Sequence, residues 1–203
     1  QNSRIAERVA GGSLQQGTRH GQGRSGEHPG GGAPHAGLHH GAVERGHARH
    51  GAGITDVVDV RRLPGSRKYP WFDQDPLRDS LRGAGLGYHH LLGLTGRRPR
   101  QKDVDPAVNA FWQNQSFHNY ADYALSAEFA SGLDELRTGC GTVPAVMCAE
   151  AVWWRCHRRL IADQLLAAGE TVRHIMGPGE PKPATLTPGA VVKNGRATYP
   201  AAT

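Results

Sequence analysis

Four short runs between residues 54 and 176 have the length of strands; three of them contain the apolar and β-branched residues of buried strands, and the run over residues 85–91 has a weaker pattern. They cover residues 54–60, 85–91, 143–148 and 171–176. Between them, three longer segments place apolar side chains three or four positions apart, as amphipathic helices do: residues 75–83, 120–137 and 156–168. Strands that alternate with helices predict an α/β domain with a small, largely parallel sheet flanked by helices.

The segments outside this pattern differ strongly in composition. Residues 1–53 hold half of the 28 glycines and 7 of the 12 histidines, but none of the aromatic residues. Such a segment buries too little apolar surface to offset its conformational entropy, so we expect it to be disordered. Residues 93–117 are expected to form a long basic loop, and the Pro- and Gly-rich residues 177–203 an irregular tail.

Charge and cysteine content narrow the functional class. The net charge of +6 permits attraction to polyanions, and it is divided equally between residues 1–53 and the rest of the chain. No apolar run is long enough to span a membrane. Three cysteines do not form a disulfide framework, which favours a reducing cytoplasm.

The strongest candidate site combines a strand end with a helix start. Cys148 and Glu150 end the third predicted strand, and Cys156, His157 and Arg158 begin the last predicted helix. Ligands of α/β proteins bind at the carboxyl ends of strands, and helix N-termini attract anions. We therefore expect Arg158 and the helix end at Cys156 to bind an anion. Glu150 or His157 would transfer protons, and Cys148 is a possible nucleophile.

Two alternatives apply to this cluster. The field of the helix end would favour a thiolate at Cys156, whereas Cys148 is equally compatible with packing inside a strand. Glu150 and Arg158 are also compatible with a structural ion-pair network. The spacing of Cys148, Cys156 and His157 matches no common zinc motif, so we predict no metal and have no basis for naming a cofactor.

Two further groups of basic residues could extend the site. Asp59 and Arg61 share one side of the first predicted strand, and Arg67 follows the next turn. They either contribute to an anion-binding crevice or form a buried pair that ties loops together. Arg97 and Arg98 lie in the basic loop, upstream of aromatic residues, in a pattern that can bind phosphates.

These motifs resemble the bacterial and archaeal family known as domain of unknown function 488 over about residues 52–176. The resemblance implies a small α/β domain whose motif residues line one site, but it supplies no substrate. It rests on Val58-Asp59-Val60-Arg61-Arg62, Pro64, Ser66-Arg67, Leu94, Gly96-Arg97-Arg98, Phe117, Tyr120, Cys148-Ala149-Glu150 and Cys156-His157-Arg158.

The chain departs from the family pattern at two places. Family members open with a strand, a Gly-His turn and a helix, and we find no such strand or helix in residues 1–51. We hypothesise that this segment is a frameshifted reading of the family's opening segment; a genuine disordered extension is the alternative. The second departure is Thr95, where the family often has a glycine.

Together these features favour an enzyme-like domain that acts on an anionic substrate, either phosphate-bearing or a nucleic acid. The alternative is a non-catalytic module that binds nucleic acid or a nucleotide through the same basic crevice. In both cases we expect no membrane partner.

Overall fold

The protein is described here by a computed structural model, which covers the backbone of residues 4–9 and the whole of residues 53–177 and 179–201. The fold is α/β, as the alternation of strands and helices predicts. Within the described residues, no helix is both long and apolar enough to cross a bilayer.

A six-stranded sheet forms the centre of the domain. Its spatial order is β3-β2-β4-β1-β5-β6, and all neighbours are parallel except the last pair, β5 and β6. A separate hairpin joins β7 and β8. The strands are β1 (Arg4–Val9), β2 (Asp56–Asp59), β3 (Gly87–His90), β4 (Pro144–Cys148), β5 (Thr171–Ile175), β6 (Lys182–Pro183), β7 (Val191–Lys193) and β8 (Arg196–Thr198).

Helices pack on the sheet and bury its apolar side chains in two clusters. One cluster contains Val58, Val146 and Leu160, and the other contains Leu77 and Met147. The α-helices are α1 (Gln74–Gly83), α2 (Gln115–Tyr123), α3 (Ala127–Thr138) and α4 (Arg158–Ala167). Short 3-10 turns lie at Pro70–Phe72, Leu92–Leu94, Pro106–Asn109 and Trp153–Arg155.

The strand Arg4–Val9 corrects the expectation that residues 1–51 contain no strand. It pairs in parallel with both β4 and β5 and fills the position between them. Sequence reasoning missed it because three of its six residues are charged, whereas buried parallel strands are usually continuously apolar. The disorder and frameshift hypotheses otherwise concern residues 1–3 and 10–52, which lie outside the described residues.

The segment predicted as one helix over residues 120–137 forms two. Helix α2 ends at Tyr123, and α3 begins after Ser126, whose side chain accepts a hydrogen bond from the Phe129 N–H at 3.2 Å. A serine that caps a helix in this way fixes the start of a new helix. Helix α2 also begins inside the expected 93–117 loop, because Asn114 caps it through the Ser116 and Phe117 N–H groups.

The expectation of an irregular tail after Gly177 is wrong for residues 182–199. They form strands β6 to β8 and end at Tyr199, which is completely buried. The Tyr199 hydroxyl donates to Asp163 at 2.8 Å, and the Gln164 side chain exchanges two hydrogen bonds with the backbone of Ala197. Composition suggested a tail, but polar groups of α4 hold this segment against the core.

Candidate active site

A cleft of about 650 Å³ opens at the carboxyl ends of β2 and β4. The chain leaves β2 toward β3 on one side and leaves β4 toward β5 on the other, so the cleft lies at a point where the strand order reverses. Ligands bind at such points in open α/β sheets. Six of the residues predicted for the site line the cleft: Arg61, Arg97, Cys148, Glu150, Cys156 and His157.

Two cysteines and a histidine converge at the base of the cleft. The Cys148 and Cys156 sulfurs and a ring nitrogen of His157 all lie within 4.8 Å of one another. Cys156 Sγ is 3.5 Å from His157 Nδ1. Cys148 is partly exposed, whereas Cys156 is only 4% exposed. The two cysteines are eight positions apart in the sequence, but they lie close together because Cys148 ends β4 and Cys156 lies just before α4.

The two thiols have opposite acidities. The pKa of Cys148 falls to about 6, chiefly because the Cys156 thiol donates a hydrogen bond to it, with help from the Glu150 and Ala149 N–H groups and the charge of Arg158. That same hydrogen bond and burial raise the pKa of Cys156 to about 12. This direction is opposite to the lowered pKa expected at Cys156: of the two thiols, Cys148 is the one whose pKa is lowered.

Arg158 supports this pair from inside the protein. Its side chain is fully buried, and Nη2 donates to the Glu150 carbonyl at 2.6 Å while Nε donates to Cys156 Sγ at 3.4 Å. These bonds fix the loop that follows Cys148 and place a positive charge beside both sulfurs. Arg158 does not line the cleft, so its expected role as an anion clamp gives way to a positioning role.

His157 is held by close packing. A Cβ at Gly96 would lie 2.7 Å from His157 Nδ1, so only glycine leaves room for the imidazole there. The ring of Tyr120 lies on another side, with a centroid separation of 5.0 Å. Among the described residues, His157 Nε2 is buried without a hydrogen-bond partner, which leaves Nδ1 as the nitrogen that faces the sulfur.

The rim of the cleft is basic. Arg62, Arg97 and Arg155 are exposed along its lining, and Glu150 is the one acidic residue among the described residues that line it. Glu150 Oε1 accepts only a long hydrogen bond, 3.4 Å, from the Val152 N–H. Arg62 belongs to the family motif that was expected to line the site, whereas sequence reasoning did not select Arg155, which directly precedes Cys156.

The domain that carries this cleft has relatives in a known protein family. Residues 44–165, more than half of the chain, match the family model described as Domain of unknown function DUF488. The chain belongs to the DUF488 family. Neither the curated proteins nor the solved structures contain a match. The family description states no activity, so the chemistry of this DUF488 domain has to be argued from the cleft itself.

Asp59 and Arg61 form a buried pair in this DUF488 domain. Arg61 Nε lies 2.9 and 3.0 Å from the two Asp59 carboxylate oxygens, and Nη2 lies 2.6 Å from Oδ2. Nη1 donates to the Phe72 carbonyl at 2.7 Å, and the Tyr88 hydroxyl donates to Asp59 at 2.9 Å. These contacts favour the loop-tying alternative, because each group of the pair is already satisfied by protein.

Two other predicted anion ligands lie away from the cleft lining. Arg98 stacks on the ring of Tyr123, 3.9 Å from its centroid, and donates to the carbonyls of Thr95 and Leu92. It therefore braces the loop that carries Arg97. Arg67 is exposed on the loop after β2 and is not among the lining residues.

The Cys148, Cys156 and His157 atoms are of the types that bind Zn²⁺, and they are close enough to share one ion. Such an ion would have to share Cys156 Sγ with the Arg158 guanidinium, which already donates to it. The charge of Arg158 opposes a cation at this position, and it favours a thiolate.

Proposed function

We propose that this DUF488 domain is an enzyme that acts on a small anionic substrate, with Cys148 as its nucleophile. The observation that carries the proposal is a partly exposed thiol of low pKa at the base of an arginine-rimmed cleft. A thiolate is the reactive form of cysteine, and active sites are where such pKa shifts concentrate.

The roles of the surrounding residues follow from their positions. Arg62, Arg97 and Arg155 attract the anion at the rim, where their exposed side chains can adjust to it. The buried base of the cleft supplies the nucleophile and a proton acceptor, His157. Glu150 lies at the exposed rim, so its carboxylate is less suited than His157 to proton transfer at the sulfurs.

Alkylation with two reagents of different charge tests this proposal. The measured quantity is the rate at which anionic iodoacetate labels Cys148 divided by the rate for neutral iodoacetamide. We expect this ratio to be about fivefold higher in the wild type than in Arg97→Gln, which lacks one positive charge at the rim. Arg100→Gln removes another exposed arginine, one that is not among the residues lining the cleft, and it should leave the ratio unchanged. High salt should also abolish the preference.

Two results would count against the proposal. If Cys148 stays unlabelled near neutral pH in the folded protein, it is not the nucleophile. If the reagent ratio is the same in the wild type, Arg97→Gln and high salt, the cleft does not select anions. The binding-module alternative would be supported if the protein bound a nucleotide saturably, did not convert it, and bound it equally well without Cys148.

A further inference from the structure

We propose that Cys148 and Cys156 act as a dithiol that reduces small anionic disulfides by thiol–disulfide exchange. This inference rests on the proposed role of Cys148 as a nucleophile, and it names the substrate class. Three observations carry it: the two sulfurs lie within 4.8 Å of each other, Cys148 is partly exposed whereas Cys156 is buried, and His157 Nδ1 lies 3.5 Å from the buried sulfur.

The difference in exposure assigns the order of reaction. A substrate entering the cleft meets the partly exposed Cys148, whereas Cys156 is 4% exposed and is reached most easily by a group already bound to Cys148. The seven residues that separate the two cysteines contain only a short 3-10 turn, so the sulfurs can approach to the bonding distance of about 2.05 Å without unwinding an α-helix.

The reaction balances in two exchanges. The Cys148 thiolate attacks one sulfur of the substrate disulfide, forms a mixed disulfide and releases the other half as a thiolate. The Cys156 sulfur then attacks Cys148 Sγ, forms the Cys148–Cys156 disulfide and releases the second half as a thiolate. The thiol proton of Cys156 passes to His157 Nδ1, 3.5 Å away. The substrate gains the two electrons that the dithiol loses.

The first exchange prepares the second one. Cys156 resists deprotonation mainly because its thiol donates to the Cys148 thiolate, which keeps its pKa high. Once Cys148 carries half of the substrate, that thiolate no longer exists. The neighbouring His157 ring and the Arg158 Nε–H then favour the Cys156 thiolate, so the buried cysteine becomes reactive only after the accessible one has reacted.

The contacts favour disulfide chemistry over phosphoryl transfer. Phosphoryl transfer needs guanidinium and N–H groups free to bind the equatorial oxygens. Here the Arg158 guanidinium is engaged with Glu150 and Cys156, and the Ala149 and Glu150 N–H groups are directed at the Cys148 sulfur. Phosphoryl transfer does not require a second sulfur within reach of the first, whereas disulfide exchange needs one to complete the reaction.

The test uses 5,5′-dithiobis(2-nitrobenzoate), an anionic aromatic disulfide whose released thiolate is coloured. The full-length, reduced protein should release two equivalents of thiolate and end as a Cys148–Cys156 disulfide, identified by peptide mass spectrometry. Cys156→Ala should release one equivalent and retain the mixed disulfide on Cys148. Cys140→Ala is the matched control: Cys140 is fully buried, its pKa is raised to about 11, and the variant should still release two equivalents.

The outcomes separate this inference from the proposed function. One equivalent from the wild type, with a stable mixed disulfide on Cys148, would overturn the dithiol while leaving the nucleophile in place. No release from the folded wild type would overturn both. Release that requires a metal chelator would show that the sulfurs hold a metal ion, and it would also overturn the dithiol. Because the wild-type mass spectrum reports the disulfide directly, the test does not depend on the variant folding.

The substrate's charge has its own test within the same experiment. The cationic disulfide cystamine should oxidise the pair more slowly at low salt than at high salt, whereas the anionic reagent should show the opposite dependence. The same salt dependence for both reagents would overturn the anionic part of the inference.

Discussion

Cys148 and Cys156 have the same side chain but opposite hydrogen-bond roles. Cys148 accepts from a thiol and from two backbone N–H groups, whereas Cys156 donates its proton to Cys148. From the sequence, the partial positive charge at the start of the last helix was expected to favour a thiolate at Cys156. That reasoning could not include the strand-end loop, whose N–H groups and thiol partner decide the acidity instead. The sequence alone was sufficient to bring the two cysteines and His157 together, because a strand end and the next helix start meet at one edge of the sheet.

His157→Asn tests the residue that faces the buried sulfur. Removal of a general base typically slows a step by two to four orders of magnitude. We expect the second thiolate release from 5,5′-dithiobis(2-nitrobenzoate) to slow by on the order of 100-fold. The first release should change little, because Cys148 gains its low pKa chiefly from Cys156, and stopped-flow absorbance resolves the two phases. Equal slowing of both phases would assign His157 a structural role only.

At the scale of elements, the cleft depends on how β2 and the loop after it are fixed. Asp59, at the end of β2, holds Arg61 and the Tyr88 hydroxyl of β3, and Arg61 in turn binds the Phe72 carbonyl. This network orients the segment that carries Arg62 into the rim of the cleft. The sequence pattern did not decide whether Asp59 and Arg61 bind an anion or form a buried pair that ties loops together, because both roles use the same residue types.

Asp59→Asn should be strongly destabilising. It removes one partner of a buried ion pair and leaves Arg61 uncompensated, which typically costs about 3–5 kcal/mol of the free energy of unfolding. Tyr88→Phe is the matched control, since it removes one hydrogen bond to the same carboxylate without breaking the ion pair, and it should cost about 1–3 kcal/mol. Urea unfolding measures both. If Asp59→Asn costs no more than Tyr88→Phe, the pair is not the brace of this loop.

Periodicity predicted the elements whose patterns are strong and missed those fixed by local or long-range contacts. The predicted strand runs located β2, β3, β4 and β5. Strands β2 and β4 are largely buried, as their apolar sequences predict, whereas all four residues of β3 are partly exposed. It did not place the break between α2 and α3, where the Ser126 side chain caps the second helix. Nor did it find β1, whose backbone hydrogen bonds to β4 and β5 place it in the sheet despite its charged sequence.

For the described part of the molecule as a whole, the C-terminal residues belong to the domain core. Tyr199 is completely buried, contacts the ring of Trp112 and donates to Asp163 of α4. Its backbone also bonds to Phe111 and to the Asn109 side chain. Proline and glycine content suggested an irregular tail, because composition does not show contacts between residues far apart in the sequence. Tyr199 packs against core residues that precede it by 36 to 90 positions.

Tyr199→Phe isolates one of these contacts. The loss of the tyrosine hydroxyl that donates to the buried Asp163 carboxylate should cost about 1–3 kcal/mol. Tyr69→Phe is the control, because no hydrogen bond to its hydroxyl is present among the described residues. Thermal unfolding followed by circular dichroism compares the two variants. Equal transition temperatures would show that the C-terminal segment contributes little to the stability of the domain.

The pH dependence of Cys148 alkylation tests the central claim most directly. Only the thiolate reacts, so the rate with neutral iodoacetamide should rise with pH through a midpoint near 6, the pKa of Cys148, and level off above neutral pH. In Cys156→Ala, which lacks the donating thiol, the midpoint should move upward. A wild-type midpoint near 9, the ordinary value for a cysteine thiol, would contradict the account, because Cys148 would then be no more acidic than an unassisted thiol.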